Sequence, residues 1–322
     1  MIQMLGADEV APRFEQRVAE TTPDRALRRA GIRFLFAAAY LVTVARLGMD
    51  GPAHWLAATM FVAVPVTIPP ASRMLLAAFP FALFAAVYDL LRLARRFVVA
   101  SGVHVAGPYR FDRWAFGLGG PHGPRSLNEL FAAHHWPAVD FVTGVAYLSY
   151  IYAVLAFAVF IAVIDRTAAG ERRTRALGWT FFGVNLAATL IYLACPVAPP
   201  WYVAAYGFGP VDPATPASPA ALVRWDAMVG VPYFARFYAH ASDVFGAMPS
   251  MHCAYPMLLF LYARELGRPA LTRALAAFQV LMCFSAVYLQ HHYVTDVVVG
   301  TLIALAGYRL ERAVSRRGIR NA

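Results

Sequence analysis

VDFVTGVAYLSYIYAVLAFAVFIAVI, residues 139–164, is an apolar run longer than the roughly 20 residues a helix needs to cross a bilayer. Seven further segments read the same way: 32–49, 53–70, 74–94, 176–195, 251–267, 273–290 and 293–310. Composition agrees. Of 322 residues, 60% are hydrophobic and 14% charged, with a mean hydropathy of +0.54, whereas a soluble domain is about half apolar. The expected fold is all-α, a polytopic membrane bundle of about eight transmembrane helices, because helices satisfy their own backbone groups in lipid. Residues 1–31 mix Asp and Glu with arginine and lack the apolar core of a cleaved leader. They read as a cytoplasmic N-terminal segment, and 311–322 as a basic cytoplasmic tail.

The net charge of +10 is carried by arginine alone, for the chain has no lysine. In a soluble protein that charge would suggest nucleic acid. Here the arginines flank apolar spans, so they are read as topology signals and as attraction to anionic headgroups, with no nucleic-acid partner. Arg25, Arg28, Arg29 and Arg33 precede the first span. Arg166, Arg172, Arg173 and Arg175 follow the fourth, Arg264, Arg268 and Arg273 flank the sixth and seventh, and Arg312, Arg316, Arg317 and Arg320 close the chain. With eight spans, all four groups fall on one side, the cytoplasmic one, together with both termini. Lysine-free composition fits a GC-rich genome, and the expected location is a bacterial plasma membrane. Arg92, Arg95, Arg96, Arg110, Arg113 and Arg125 then lie outside, against the rule.

Two long connections, 95–138 and 196–250, show no clear secondary structure of their own, which is the usual mark of functional loops. Three polar motifs collect at the outer ends of the spans: CPVAPPWY (195–202), MPSMH (248–252) and QHHYVTD (290–296). All nine histidines lie on that side. Ionisable groups at membrane depth are costly and point to function. Cys195, Cys253 and Cys283 form neither a metal-ligand spacing nor a disulfide framework.

In HHYVTD, His292 and Asp296 are four residues apart and share a helix face. A carboxylate bonded to one ring nitrogen fixes the tautomer and leaves the other nitrogen nucleophilic; a pair of interfacial histidines beside a helix-start acid is the blander alternative. His291 points elsewhere. In MPSMH, Pro249 suits a first helical turn, Ser250 can cap it, and the free amides with the positive dipole end favour a phosphate oxyanion beside His252.

The pair P-S-x-H and, forty residues later, H-x-x-x-D resembles the type 2 phosphatidic acid phosphatase superfamily of membrane enzymes. The resemblance covers roughly 74–310. It implies a catalytic membrane domain over 74–310 with a six-helix core, preceded by two accessory transmembrane helices in 32–73. It also implies His292 as nucleophile, Asp296 as its partner and His252 as acid/base, without metal or cofactor. Two elements of the phosphatases are missing: Lys-x6-Arg-Pro, and the Ser-Arg before the nucleophile, where Ser285-Ala286 stands. HHYVTD and CPVAPPWY look like motifs of the inositol phosphorylceramide synthase (aureobasidin-resistance) branch. That branch implies transfer of a phospho-head group, phosphoinositol foremost, from a phospholipid donor to a lipid alcohol such as ceramide. The alternative is a lipid phosphatase with water as acceptor.

With the usual cations gone, Arg92 beside Asp89 and, second, Arg236 are candidates to balance phosphate; Asp89 and Arg92 alternatively form an intrahelical pair. Trp201 and Tyr202 shape an acceptor pocket or an interfacial belt. Ser250 and His291 complete the candidate substrate contacts.

Overall fold

The computed structural model describes residues 23–320 except 49–50, 64–77, 91–92, 94–101, 121–122, 166, 213, 240 and 242–243. Each apolar run carries a helix. They are α1 (Pro23–Arg46), α2 (Pro52–Ala63), α3 (Ala78–Leu90), α6 (Pro137–Ile164), α7 (Ala168–Ala194), α11 (Met251–Arg264), α12 (Pro269–Tyr288) and α13 (Val294–Arg320). Among the described residues α6, α7 and α12 are long and apolar enough to cross a membrane. Their surfaces say what surrounds them. On α6 one side buries Tyr147, Val154, Phe157 and Ile161, while Val142, Tyr152, Leu155 and Val159 are exposed. An apolar face of that extent suits lipid rather than water. The protein is an integral membrane protein.

The two long connections are not bare loops. They carry α4 (Ala106–Phe116), α5 (Leu127–Ala133), α8 (Pro200–Tyr206), α9 (Val223–Val229) and α10 (Tyr233–Ala239). Local chemistry starts and stops them. Ser126 forms a capping box with Glu129 on α5, Pro200 opens α8, and Gly230 ends α9 with φ +71°. A short parallel bridge, His104 to Val197, ties the two connections together, and a second, Val197 to Gly246, joins the two ends of the later one.

The core lies where α6, α7, α11 and α13 meet. Phe157, Ile161, Leu177, Phe181, Leu258, Leu259 and Ala304 pack there around Tyr255 and Tyr262. Both tyrosines pair their hydroxyls with α7: Tyr262 with Thr180 at 2.8 Å and Tyr255 with Asn185 at 2.6 Å. Such pairs are obligatory at this depth, because an unpaired hydroxyl has no water to bond.

Glycine permits the closest approach. A Cβ at Gly300 of α13 would lie 2.1 Å from the carbonyl oxygen of Ser250, so the start of α11 sits directly on α13. Backbone cannot rotate aside as a side chain can. Gly300→Ala is therefore expected to push the two helix starts apart by about an ångström, which at a catalytic centre costs on the order of 10²-fold in rate. Gly307→Ala meets Val184 Cγ2 instead, and its effect on activity should be far smaller. Turnover and thermal unfolding of both variants check this.

Candidate active site

Gly300 matters because of what lies on either side of that contact. After Tyr288 the chain reverses over residues 289–293. Gln290 takes a φ of +69°, and the amides of His291 and His292 both point to the Ala286 carbonyl, at 3.2 and 3.1 Å. Asp296, in the first turn of α13, accepts from the Tyr293 amide at 2.8 Å. The MPSMH stretch meets this turn from the other side. Met248–Pro249 is a cis peptide, the Pro249 carbonyl accepts from the Tyr192 hydroxyl at 2.7 Å, and the Ser250 amide donates to the Asp296 carbonyl at 3.0 Å. The two motifs are thus joined backbone to backbone.

Their histidines face each other. His252 Nδ1 lies 3.1 Å from His292 Nε2. His292 Nδ1 lies 2.8 Å from the Ala247 carbonyl oxygen and 3.8 Å from Asp296 Oδ2. A carbonyl only accepts, so Nδ1 carries the hydrogen and Nε2 the lone pair. The hydrogen bond expected from Asp296 is made by Ala247 instead. Asp296, wholly buried, stands just beyond hydrogen-bond range of the ring.

An aromatic stack orients His252. Its ring lies 4.0 Å from Tyr147 at 19°; Tyr147 stacks on His291 at 5.0 Å, and His291 on Tyr238 at 4.9 Å. The Tyr147 hydroxyl is 3.2 Å from His252 Nδ1. His291 reaches the Pro219 carbonyl through Nε2 at 3.2 Å. Burial, then the neighbouring His292, push its pKa down to about 3, so it is neutral at physiological pH. Its ring is held between Tyr147 and Tyr238.

The other candidates fall in varied places. Ser250 is buried and occupies the N-cap position of α11, but its side chain makes no cap hydrogen bond; Oγ lies 3.5 Å from Cys253 Sγ. Trp201 and Tyr202 are buried with Val105, Ala198, Val244 and Phe245 under the outer connections, and the Trp201 amide donates to the Gln290 carbonyl. They buttress the turn that carries His291 and His292 and do not form an exposed belt. Arg236 is exposed on α10, the helix that carries Tyr238. Asp89 Oδ2 lies 3.1 Å from His54 Nε2, whose Nδ1 is 2.5 Å from the Tyr40 hydroxyl, a chain that fastens α1 and α2 to α3. Arg92 lies outside the described residues.

Sequence reasoning missed Tyr147 and the Ala247 carbonyl. Tyr147 left a faint signal, a hydroxyl on the buried side of an otherwise apolar span with Tyr150 one turn on. A backbone carbonyl leaves none.

Residues 109–310 fit the family described as the PAP2 superfamily. The chain belongs to the PAP2 superfamily. Within that superfamily it is 32% identical over 272 residues to the phosphoinositol dihydroceramide synthase of Bacteroides thetaiotaomicron, covering 83% of this chain and 86% of that one. It is 35% identical over 126 residues to the inositol phosphorylceramide synthase catalytic subunit of Schizosaccharomyces pombe, covering 39% of this chain and 30% of the other. The catalytic subunit of Saccharomyces cerevisiae is 33% identical over 124 residues, 38% and 30% of the two chains. No solved structure matches significantly. All these relatives are named as synthases of phosphoinositol-bearing sphingolipids.

Proposed function

We propose that the protein is a membrane phosphotransferase that moves phosphoinositol from phosphatidylinositol to a ceramide-type lipid alcohol through a phosphohistidine on His292. The observation that carries the mechanism is the His252–His292 contact at 3.1 Å, with the His292 lone pair aimed at it by Ala247. Phosphorus enters where the two nitrogens now touch. Nε2 of His292 attacks, the P–O bond to diacylglycerol breaks, and His252, entering the step as the imidazolium, gives the leaving oxygen a proton and becomes neutral. In the second step the acceptor hydroxyl attacks phosphorus, its proton passes to His252, and His292 is released. Histidine needs no further activation to act as the nucleophile, and transfer relies on positioning and charge.

The names of the relatives support the substrates, and the buried setting of His292, 5% exposed, supports selection against water. The test supplies purified protein with phosphatidylinositol, with and without ceramide or a diacylglycerol-type alcohol. Product is expected to carry the head group on the added lipid and to depend on it. Rapid hydrolysis of phosphate monoesters with no competition from alcohol would make the protein a phosphatase.

The site is proposed to face away from the cytoplasm, on the strength of the arginine bias. A cysteine placed at Ala214, exposed in the outer connection, is expected to react with an impermeant thiol reagent in intact cells. Reaction only after lysis would reverse the orientation.

A further inference from the structure

The catalytic turn is held by two side chains that the chemistry above leaves unused. Asn128, on α5 and 4% exposed, donates through Nδ2 to the Val287 carbonyl at 2.9 Å and to the His292 carbonyl at 3.1 Å. Its backbone carbonyl accepts from the Gln290 side chain at 2.9 Å. Asp112, on α4 and fully buried, accepts through Oδ1 from both the amide and the hydroxyl of Thr295, each at 2.9 Å. One grips the turn before and at His292. The other grips the first turn of α13, next to Asp296.

These contacts reach across 159–183 residues of chain, and the elements that deliver them are themselves braced. The Tyr109 hydroxyl of α4 donates to Glu129 of α5 at 2.8 Å, and Glu129 closes the capping box with Ser126. Asp112 fills a free amide of a helix start, a task that Ser, Thr or Asn performs as well. A buried carboxylate costs more to bury than those neutral groups, and Asp112 spends it on two bonds to Thr295, the residue beside Asp296.

We infer that Asp112 and Asn128 are positioning residues for transfer: from the outer connection they fix the His292 turn and the start of α13, so that the nucleophile and its carboxylate meet phosphorus in register. This rests on the reading of His292 as the nucleophile. Neither residue touches the reacting atoms, so their loss should act on rate rather than on donor binding.

The experiment measures single-turnover phosphoenzyme formation and steady-state transfer on folded, detergent-purified protein. It compares wild type, His292→Ala, Asn128→Ala, Asp112→Ala and Asp112→Asn. The two alanine variants at 112 and 128 are expected to lose about 10- to 100-fold in kcat and in phosphoenzyme formation, with KM for the donor within about twofold. Asp112→Asn keeps an oxygen for Thr295 but no charge, and should recover part of the loss. A raised KM with unchanged kcat overturns the inference, as does a loss of kcat that merely tracks the fraction of folded protein. An Asp112→Asn no better than Asp112→Ala overturns it for Asp112. If wild type forms no phosphoenzyme, the nucleophile reading fails. If it does, and the alanine variants match it, this inference alone fails.

Discussion

Replacing His292 by alanine is expected to lower transfer by on the order of 10⁵-fold, the scale on which covalent catalysts lose activity when the nucleophile goes. The imidazole has no substitute nearby. His252 faces it, but its Nδ1 is turned toward His292 and Tyr147, and His291 is locked in the aromatic stack with Nε2 on Pro219. Stability should change little, since the Ala286 contact and the Asn128 contact use the backbone of residue 292. The same logic predicts non-additivity. Groups acting as one unit do not lose their contributions independently, so the His252→Ala/His292→Ala double variant should be no slower than His292→Ala. The check is radiolabel transfer from a head-group-labelled donor, with phosphoenzyme trapped by rapid quench. Wild-type rates in His292→Ala would end the covalent mechanism.

The apolar runs made the bundle legible because lipid-facing helices must be apolar along their length, a pattern that survives ignorance of packing. The outer connections were opaque for the opposite reason. Their helices are short, and isolated helices of seven to eleven residues are marginal without tertiary partners; Asp112 and Asn128 supply those partners across more than 150 residues. The proposed catalytic pair was visible through spacing, because His292 and Asp296 sit within one turn. Distance defeated the rest. That Asp89 would meet His54, or that Ala247 would offer its carbonyl to His292, depends on how separate elements pack. Ser250 stands at a helix start as its residue type suggests, yet its hydroxyl lies against Cys253 Sγ and makes no cap bond to the α11 amides.

His252→Ala is expected to cost about 10²–10⁴ in rate, the usual contribution of a positioned acid/base, and to do so for a reason that can be isolated. Diacylglycerol departs as a strongly basic alkoxide, so the first step needs a proton delivered as the P–O bond breaks. The hydrogen on His252 Nδ1 points at the His292 lone pair when no substrate intervenes, and the Tyr147 stack keeps the ring in that plane. A phosphodiester donor with a 4-nitrophenyl leaving group needs no such proton. With it, His252→Ala should form phosphoenzyme at close to the wild-type rate and release a burst of nitrophenol. Steady turnover should stay slow, because the acceptor alcohol still has no base to take its proton. His292→Ala should give no burst with either donor. If the activated donor fails to restore the first step in His252→Ala, then His252 holds the phosphate or the turn rather than the proton. The Tyr147–His252–His292 array would then be a binding device, with proton transfer left to the substrate's own groups.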